Sequence, residues 1–298
     1  MKIEERLRSR LSRRNFLAGL GVTAGTAAVA TLAAGCGSSS VPITSPSTPP
    51  TGSSDVDILN FALNLEYLEA EYYLRATTGS GLSSANIGSN PGAVTGGSQV
   101  TFTTPAIKAY ALEIANDELL HVEFLRSALG SAAVDRPAID LTNSFNTAAM
   151  AAGIGPAFNP FADENSFIVG AFVFEDVGVT AYHGAATSIL NKTYLGAAAG
   201  IMAVEAYHAA EIRTLLAYLG APYLTYANQI SALRATLSGG GEVAVSGSTI
   251  VPADTNSIAF DRTTTEVLHI VYGAGAGVVS KGLFYPNGMN GTITSTVT

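Results

Sequence analysis

Apolar residues recur at helical spacing over residues 55–76, where Ile58, Ala62, Leu65, Leu68 and Tyr72 share one face behind Asp55, the expected helix start. A second such segment opens at Pro105 and runs to about Leu129, where Gly130 closes it. A third spans about Ser166 to Leu190, and after a brief turn at Asn191 to Leu195 a fourth runs to about Leu219, ahead of Gly220 and Pro222. The first and second are separated by a Gly-, Ser- and Asn-rich stretch, Thr77 to Thr104, with no helical period, which predicts a long surface loop. Between the second and third, Ser131 to Asn165 is long enough to cross the length of a bundle, with one short helix at Asn143 to Ala152. Four apolar helices have to pack on one another, so the expected fold is all-α: an up-down four-helix bundle over 55–222 with a long crossover between its second and third helices.

Beyond Pro222 the texture changes. SGGGEVAVSGSTIVPADTNS predicts a small hairpin or loop, TTTEVLHIVYG one further helix, and GLFYPNGMNGTI a turn-rich tail. Residues 223–298 are too glycine-rich to make a good independent domain and are expected as an extension packed on the bundle.

The first 35 residues read differently. The pair Arg13-Arg14 precedes the run FLAGLGVTAGTAAVATLAAG, with basic residues only on its N-terminal side, and looks like a twin-arginine (Tat) export signal. Leu32 to Cys36 resembles a lipoprotein processing box, although Ala33 stands where such boxes usually carry Leu. That reading makes Cys36 a lipidated membrane anchor and 36–54, rich in Ser, Thr and Pro, a tether to a periplasmic or cell-surface domain. A plain transmembrane anchor or an ordinary cleaved signal would also mean export. Tat-type machinery moves folded proteins, which points to a metal or prosthetic group loaded beforehand.

Composition sharpens the picture. Hydrophobic residues make up 47% of the chain and charged residues 13%, so an acidic or imidazole group inside an apolar helix is informative. Removing residues 1–35 leaves nine basic and twenty-one acidic residues, a net charge of −12, which argues against nucleic acid as a partner. The single cysteine excludes an intrachain disulfide.

The second helix carries Glu118-Leu-Leu-His121 and the fourth Glu205-Ala-Tyr-His208. Residues three apart share a helix face, so each pair presents a carboxylate and an imidazole to one point. With so few histidines, chance predicts roughly 0.2 such matches in the chain. The first and third helices each supply a lone inward candidate, Glu66 and Glu175, and each has a tyrosine seven residues on, Tyr73 and Tyr182. The first two helices thus rehearse the last two. Burying four carboxylates together requires cations or protons to neutralise them, and two divalent metals balance four carboxylates. Glutamate oxygens with one imidazole per metal favour iron or manganese over zinc.

Glu on the first and third helices with Glu-x-x-His on the second and fourth resembles the ligand set of ferritin-like di-iron and di-manganese proteins. ALNLEYLEAEYY, the two Glu-x-x-His helices, EVLHIVYG and GLFYPNGMNG resemble the ferritin-like family that includes desiccation-related proteins, over about residues 55–290. The resemblance implies Glu66, Glu118, His121, Glu175, Glu205 and His208 as ligands of two iron or manganese ions. Tyr73 and Tyr182 are candidates for holding the ligand carboxylates, or are plain core aromatics. Glu69 and Glu211 are candidate extra ligands, with solvent-facing positions the preferred reading for both. His183, His269, Asp117 and Asp176 receive no role at the site. The expected function is an oxidoreductase acting on dioxygen or peroxide in envelope stress protection; the alternative is a structural, stress-protective protein, metal-stabilised or metal-free. A homodimer is compatible with either, whereas the tether and the extension argue against a closed storage cage.

Overall fold

The computed structural model describes residues 54–296; Arg13, Arg14 and Cys36 lie outside them. The described chain folds as α1 (Asp55–Thr78), β1 (Val94–Thr95), α2 (Pro105–Leu129), a 3-10 turn (Gly130–Ala132), β2 (Ile139–Asp140) and α3 (Asn143–Ala151). It continues as α4 (Glu164–Phe172), α5 (Glu175–Ala186), α6 (Lys192–Leu219), α7 (Tyr223–Ser238) and α8 (Thr264–Tyr272). Two helical hairpins, α1 with α2 and α5 with α6, face each other, and α1 against α5 and α2 against α6 close the bundle. No helix among the described residues is long and apolar enough to cross a membrane.

α1 is the central helix and is buried on nearly all sides from Ile58 to Tyr73. Its N-cap is Ser54, in a reciprocal capping box with Asp57, rather than the expected Asp55. Asp55 instead accepts hydrogen bonds from the amides of Leu190 and Asn191, each at 2.8 Å, and so ties the α5–α6 turn to the start of α1. Asn191 in turn caps α6 through the amides of Thr193 and Tyr194. On α2 the buried positions Ile107, Ala111, Ile114, Glu118, His121, Leu125 and Leu129 follow a spacing of three or four, which turns one stripe inward.

The expected third helix is divided into α4 and α5, with a break at Val173-Phe174 where the backbone bonds shorten to the i→i+3 pattern. The break releases the Phe172 carbonyl, and the Arg234 guanidinium donates to it at 2.6 Å. A buried side chain from outside the helix thus satisfies what the helix gives up.

The extension holds two helices where one was expected. The buried face of α7 consists of Ala227, Ile230, Ser231, Arg234 and Ser238, so its inward stripe is largely polar and carries little apolar period. Those polar groups belong to a buried network. Asp176, which had no expected role, accepts from Arg213 at 2.9 Å and Arg234 at 2.7 Å, while Glu242 takes Arg234 at 2.8 Å and Arg262 at 2.7 Å. The network locks α7 and the following loop onto α5 and α6. The expected hairpin is reduced to isolated bridges, Ser246 with Thr249 and Ala253 with Ala259. The long loop and the crossover are joined by the parallel pair β1–β2, and Arg136 of the crossover is buried against Glu71 of α1. The tail closes on α1: Asn64 exchanges hydrogen bonds with the backbone of Asn290 at 2.9 and 3.0 Å, and the Tyr285 hydroxyl donates to the Asn64 carbonyl at 2.7 Å.

Removing one member of a buried ion network strands its partners' charges. Arg234→Ala is therefore expected to lower the unfolding free energy by about 3–5 kcal/mol, read by denaturant titration, with its largest hydrogen-exchange increase at α7 and the α4–α5 break.

Candidate metal centre

Glu66 of α1, Glu118 and His121 of α2, Glu175 of α5, and Glu205 and His208 of α6 converge in the middle of the bundle. Glu66, Glu118 and Glu205 have no exposed surface, and the other three are also buried. The side chains form two groups of four, Glu66–Glu118–His121–Glu205 and Glu118–Glu175–Glu205–His208, with the ligand atoms of each within 4.8 Å of one another. Glu118 and Glu205 belong to both groups and so lie between two neighbouring points, each flanked by one further carboxylate and one imidazole.

The contacts have an informative defect. His208 Nδ1 is 3.1 Å from Glu118 Oε1 and 3.4 Å from Glu175 Oε2, and His121 Nδ1 is 3.4 Å from Glu118 Oε2 and 3.6 Å from Glu205 Oε1. These are ion-pair distances. Yet both oxygens of Glu118, both of Glu205, Glu175 Oε2 and His208 Nδ1 lack any hydrogen-bond partner among the described residues. The atoms are close but aimed past one another, at common points between them. Within this cluster His121 Nδ1 and Glu66 Oε2, 3.2 Å apart, do meet with hydrogen-bond geometry. Buried acceptors left bare at such a density are costly unless cations complete them, and two oxygen-rich positions with one imidazole each suit iron or manganese.

The surrounding groups fix these side chains reciprocally. The Tyr73 hydroxyl of α1 donates to Glu175 of α5, and the Tyr182 hydroxyl of α5 donates to Glu66 of α1. Each tyrosine thus holds the carboxylate of the opposite hairpin. Asp117, left without a role by the sequence, places Oδ2 3.2 Å from His208 Nε2, the outward nitrogen, and so selects the tautomer that turns Nδ1 inward. The signal was its position beside Glu118, one turn's reach from the facing α6. Gly178 is the other participant missed: a Cβ there would lie 2.2 Å from Glu205 Oε2, so the space for that carboxylate exists because α5 has no side chain at this point.

Glu69 is buried, contrary to the solvent-facing expectation, because α1 is enclosed on the face that a peripheral helix would leave to water. Glu211 is half-buried near Glu113 and Asp117, in an open pocket on the outer side of His208. Neither joins the two groups of four. His183 lies off the site with Nδ1 3.1 Å from the Phe260 carbonyl, and His269 lies on α8.

Without metal, protons neutralise the cluster. Burial, against the pull of His121, pushes Glu66 up to about 7 from an ordinary 4.5, and burial together with the neighbouring carboxylates raises Glu205 and Glu69 well above the usual range. Burial works against charged imidazoles, but the carboxylates outweigh it and push His121 up to about 11 and His208 to about 12. Glu118 is the exception: burial opposes its charge, and the two imidazoles more than compensate, holding it below its usual value.

A buried cluster of four carboxylates and two imidazoles at the centre of a four-helix bundle places the protein among bundles fitted to bind two metal ions. The chain belongs to the ferritin-like domain family, whose profile matches residues 54–218. It is 29% identical over 269 residues to the ferritin-like catalase Nec2 of Nesocodon mauritianus, covering 80% of this chain and 85% of that protein. It is 31% identical over 246 residues to the desiccation-related protein PCC13-62 of Craterostigma plantagineum, covering 72% of this chain and 76% of the relative.

Two outcomes are expected of this centre. In the metal-free protein the folded state keeps protons at Glu66, His121 and His208 that the unfolded chain releases at 4.5 and 6.5, so the stability they contribute is lost as pH rises through 7 and beyond. Metal ions replace those protons, so the rise in melting temperature on adding Mn(II) should be larger at about pH 7.5 than at about pH 5.5. An equal rise at both would contradict the exchange. Gly178→Ala should drive Glu205 aside, lower metal stoichiometry and destabilise the fold by about 1–3 kcal/mol, measured by metal analysis and denaturant titration.

Proposed function

We propose that the protein is a di-metal oxidoreductase that disproportionates hydrogen peroxide. The observation that carries the reading is the set of bare, buried oxygen atoms on Glu118, Glu175 and Glu205, arranged around two adjacent points. Similarity to a protein named a ferritin-like catalase, over four-fifths of the chain, favours peroxide over other oxidants.

Glu66 and His121 would hold one ion and Glu175 and His208 the other, with Glu118 and Glu205 shared between them. Two iron or manganese ions would supply one electron each, the pair that cleavage of a peroxide O–O bond consumes. The chain's own contribution is positional and electrostatic. Tyr73 and Tyr182 fix the two terminal carboxylates, and Asp117 fixes the ring of His208. The enclosing apolar helices limit the access of bulk water, and the shared carboxylates would accommodate changes in metal charge. The alternative, a protective role in which the metals only stabilise the bundle, is favoured by the likeness to a desiccation-related protein.

Residues 1–54 fit this reading as an address. We infer export by a twin-arginine signal, with Arg13-Arg14 as the pair and Cys36 as a lipidated anchor to the membrane, so that a folded and loaded domain acts in the envelope.

Metal analysis after native expression should return about two iron or manganese ions per chain, lost when Glu118→Ala is combined with His208→Ala. The loaded protein should consume peroxide and release one O2 for every two peroxides. Metal without peroxide consumption would favour the protective role, and absence of metal would defeat both readings.

A further inference from the structure

Beside the metal centre the bundle encloses a second feature that its ligands do not use. A cavity of about 20 Å³ lies between α1, the start of α5, α8 and the tail, with walls that include Leu68, Val177, Val271 and Phe284. It lies beside the break in the third helix at Val173-Phe174, and Gly178 also lines it. Its walls are apolar apart from one ionisable group, Glu69. Glu69 as a residue is 5% exposed, and no described residue donates a hydrogen bond to its carboxyl. The cavity and the centre meet at Gly178, which lines the cavity and packs against the Glu205 carboxylate.

We propose that this chamber is a docking site for hydrogen peroxide, held by a hydrogen bond to Glu69, and that its size excludes organic hydroperoxides. The inference rests on the peroxide reading of the adjacent centre. A space of this volume, against the ~10–15 Å³ that one water needs, takes a guest of one or two heavy atoms, such as hydrogen peroxide, and no branched alkyl group. Apolar walls favour a neutral guest over superoxide or a hydrated anion. Dioxygen is small enough but donates no hydrogen bond, whereas hydrogen peroxide both donates and accepts and completes the lone carboxyl. Ile270, Val271 and Phe284 belong to the C-terminal extension, which gives that extension a part in substrate selection. Glu69 is a positioning residue here. It holds the guest next to Glu205 and takes no part in the bond cleavage.

The test has one arm without metal. In the metal-free protein, hydrogen peroxide should shift a carboxyl C=O infrared band that is missing from Glu69→Gln, and tert-butyl hydroperoxide should leave it unmoved. In the chain carrying Ile270→Ala and Val271→Ala, the larger hydroperoxide should shift it too. In the loaded, reduced protein, oxidation by hydrogen peroxide should slow about tenfold in Glu69→Leu, the loss of one hydrogen bond. The preference for hydrogen peroxide over tert-butyl hydroperoxide should fall about tenfold or more when Ile270 and Val271 are truncated. The proposal is overturned if Glu69→Gln keeps the band shift, or if the wild-type chamber reports both hydroperoxides equally. A band shift in the metal-free protein with no peroxide turnover in the loaded one would sink the catalase reading and leave the docking site standing.

Discussion

Four carboxylates and two imidazoles facing one another in an apolar bundle form the constraint on which the rest of this protein depends. Left as ions in a dry interior the glutamates would repel one another and drive the helices apart, and left as bare acceptors they would forfeit hydrogen bonds that water offers the unfolded chain. The fold resolves this by convergence rather than pairing. Oxygens and ring nitrogens within 3.1–3.6 Å of each other mostly miss hydrogen-bond geometry, because each is directed at a point between them. Protons at Glu66, Glu205 and the two histidines can neutralise that arrangement, and so can two cations.

Around this constraint the two hairpins are nearly, but not fully, equivalent. Glu66, Tyr73, Glu118 and His121 of the first correspond to Glu175, Tyr182, Glu205 and His208 of the second, and the tyrosines cross over to hold each other's glutamates. Equivalence fails at two places. Asp117 precedes Glu118 and engages His208, whereas Val204 precedes Glu205 and offers His121 no such partner. Three residues beyond Glu66 stands Glu69, while three beyond Glu175 stands Gly178. The first difference braces one imidazole more firmly than the other, and the second leaves room for the Glu205 carboxylate beside α5 and puts one ionisable group, Glu69, in the wall of the chamber.

The C-terminal extension has a structural logic tied to the same centre. Its Arg234 reaches Asp176, the residue next to Glu175, and satisfies the carbonyl released where the third helix breaks. Its tail fastens Asn64, two residues before Glu66. The cluster carboxylates on α1 and α5 are therefore each braced by parts of the chain remote in sequence, the kind of support that keeps a carboxylate in place when the charge beside it changes.

The helical period and the two Glu-x-x-His pairs were legible in the sequence because they are local: a face of a helix is determined by residues three and four apart. Those local patterns placed α1, α2, α3 and α6 within a few residues and named the six side chains that meet in the centre. Other features depended on what lies across from them. Arg234 explains both the break between α4 and α5 and the obscurity of α7, whose inward face is polar for the sake of Asp176 and Glu242. The burial of Glu69 follows from α1 being surrounded, and the parts played by Asp117 and Gly178 follow from α6 facing α2 and α5 at close range. Spacing along one helix says which side chains share a direction. Only the packing of several helices says what they meet there, because burial and partner are set by atoms far away in the chain.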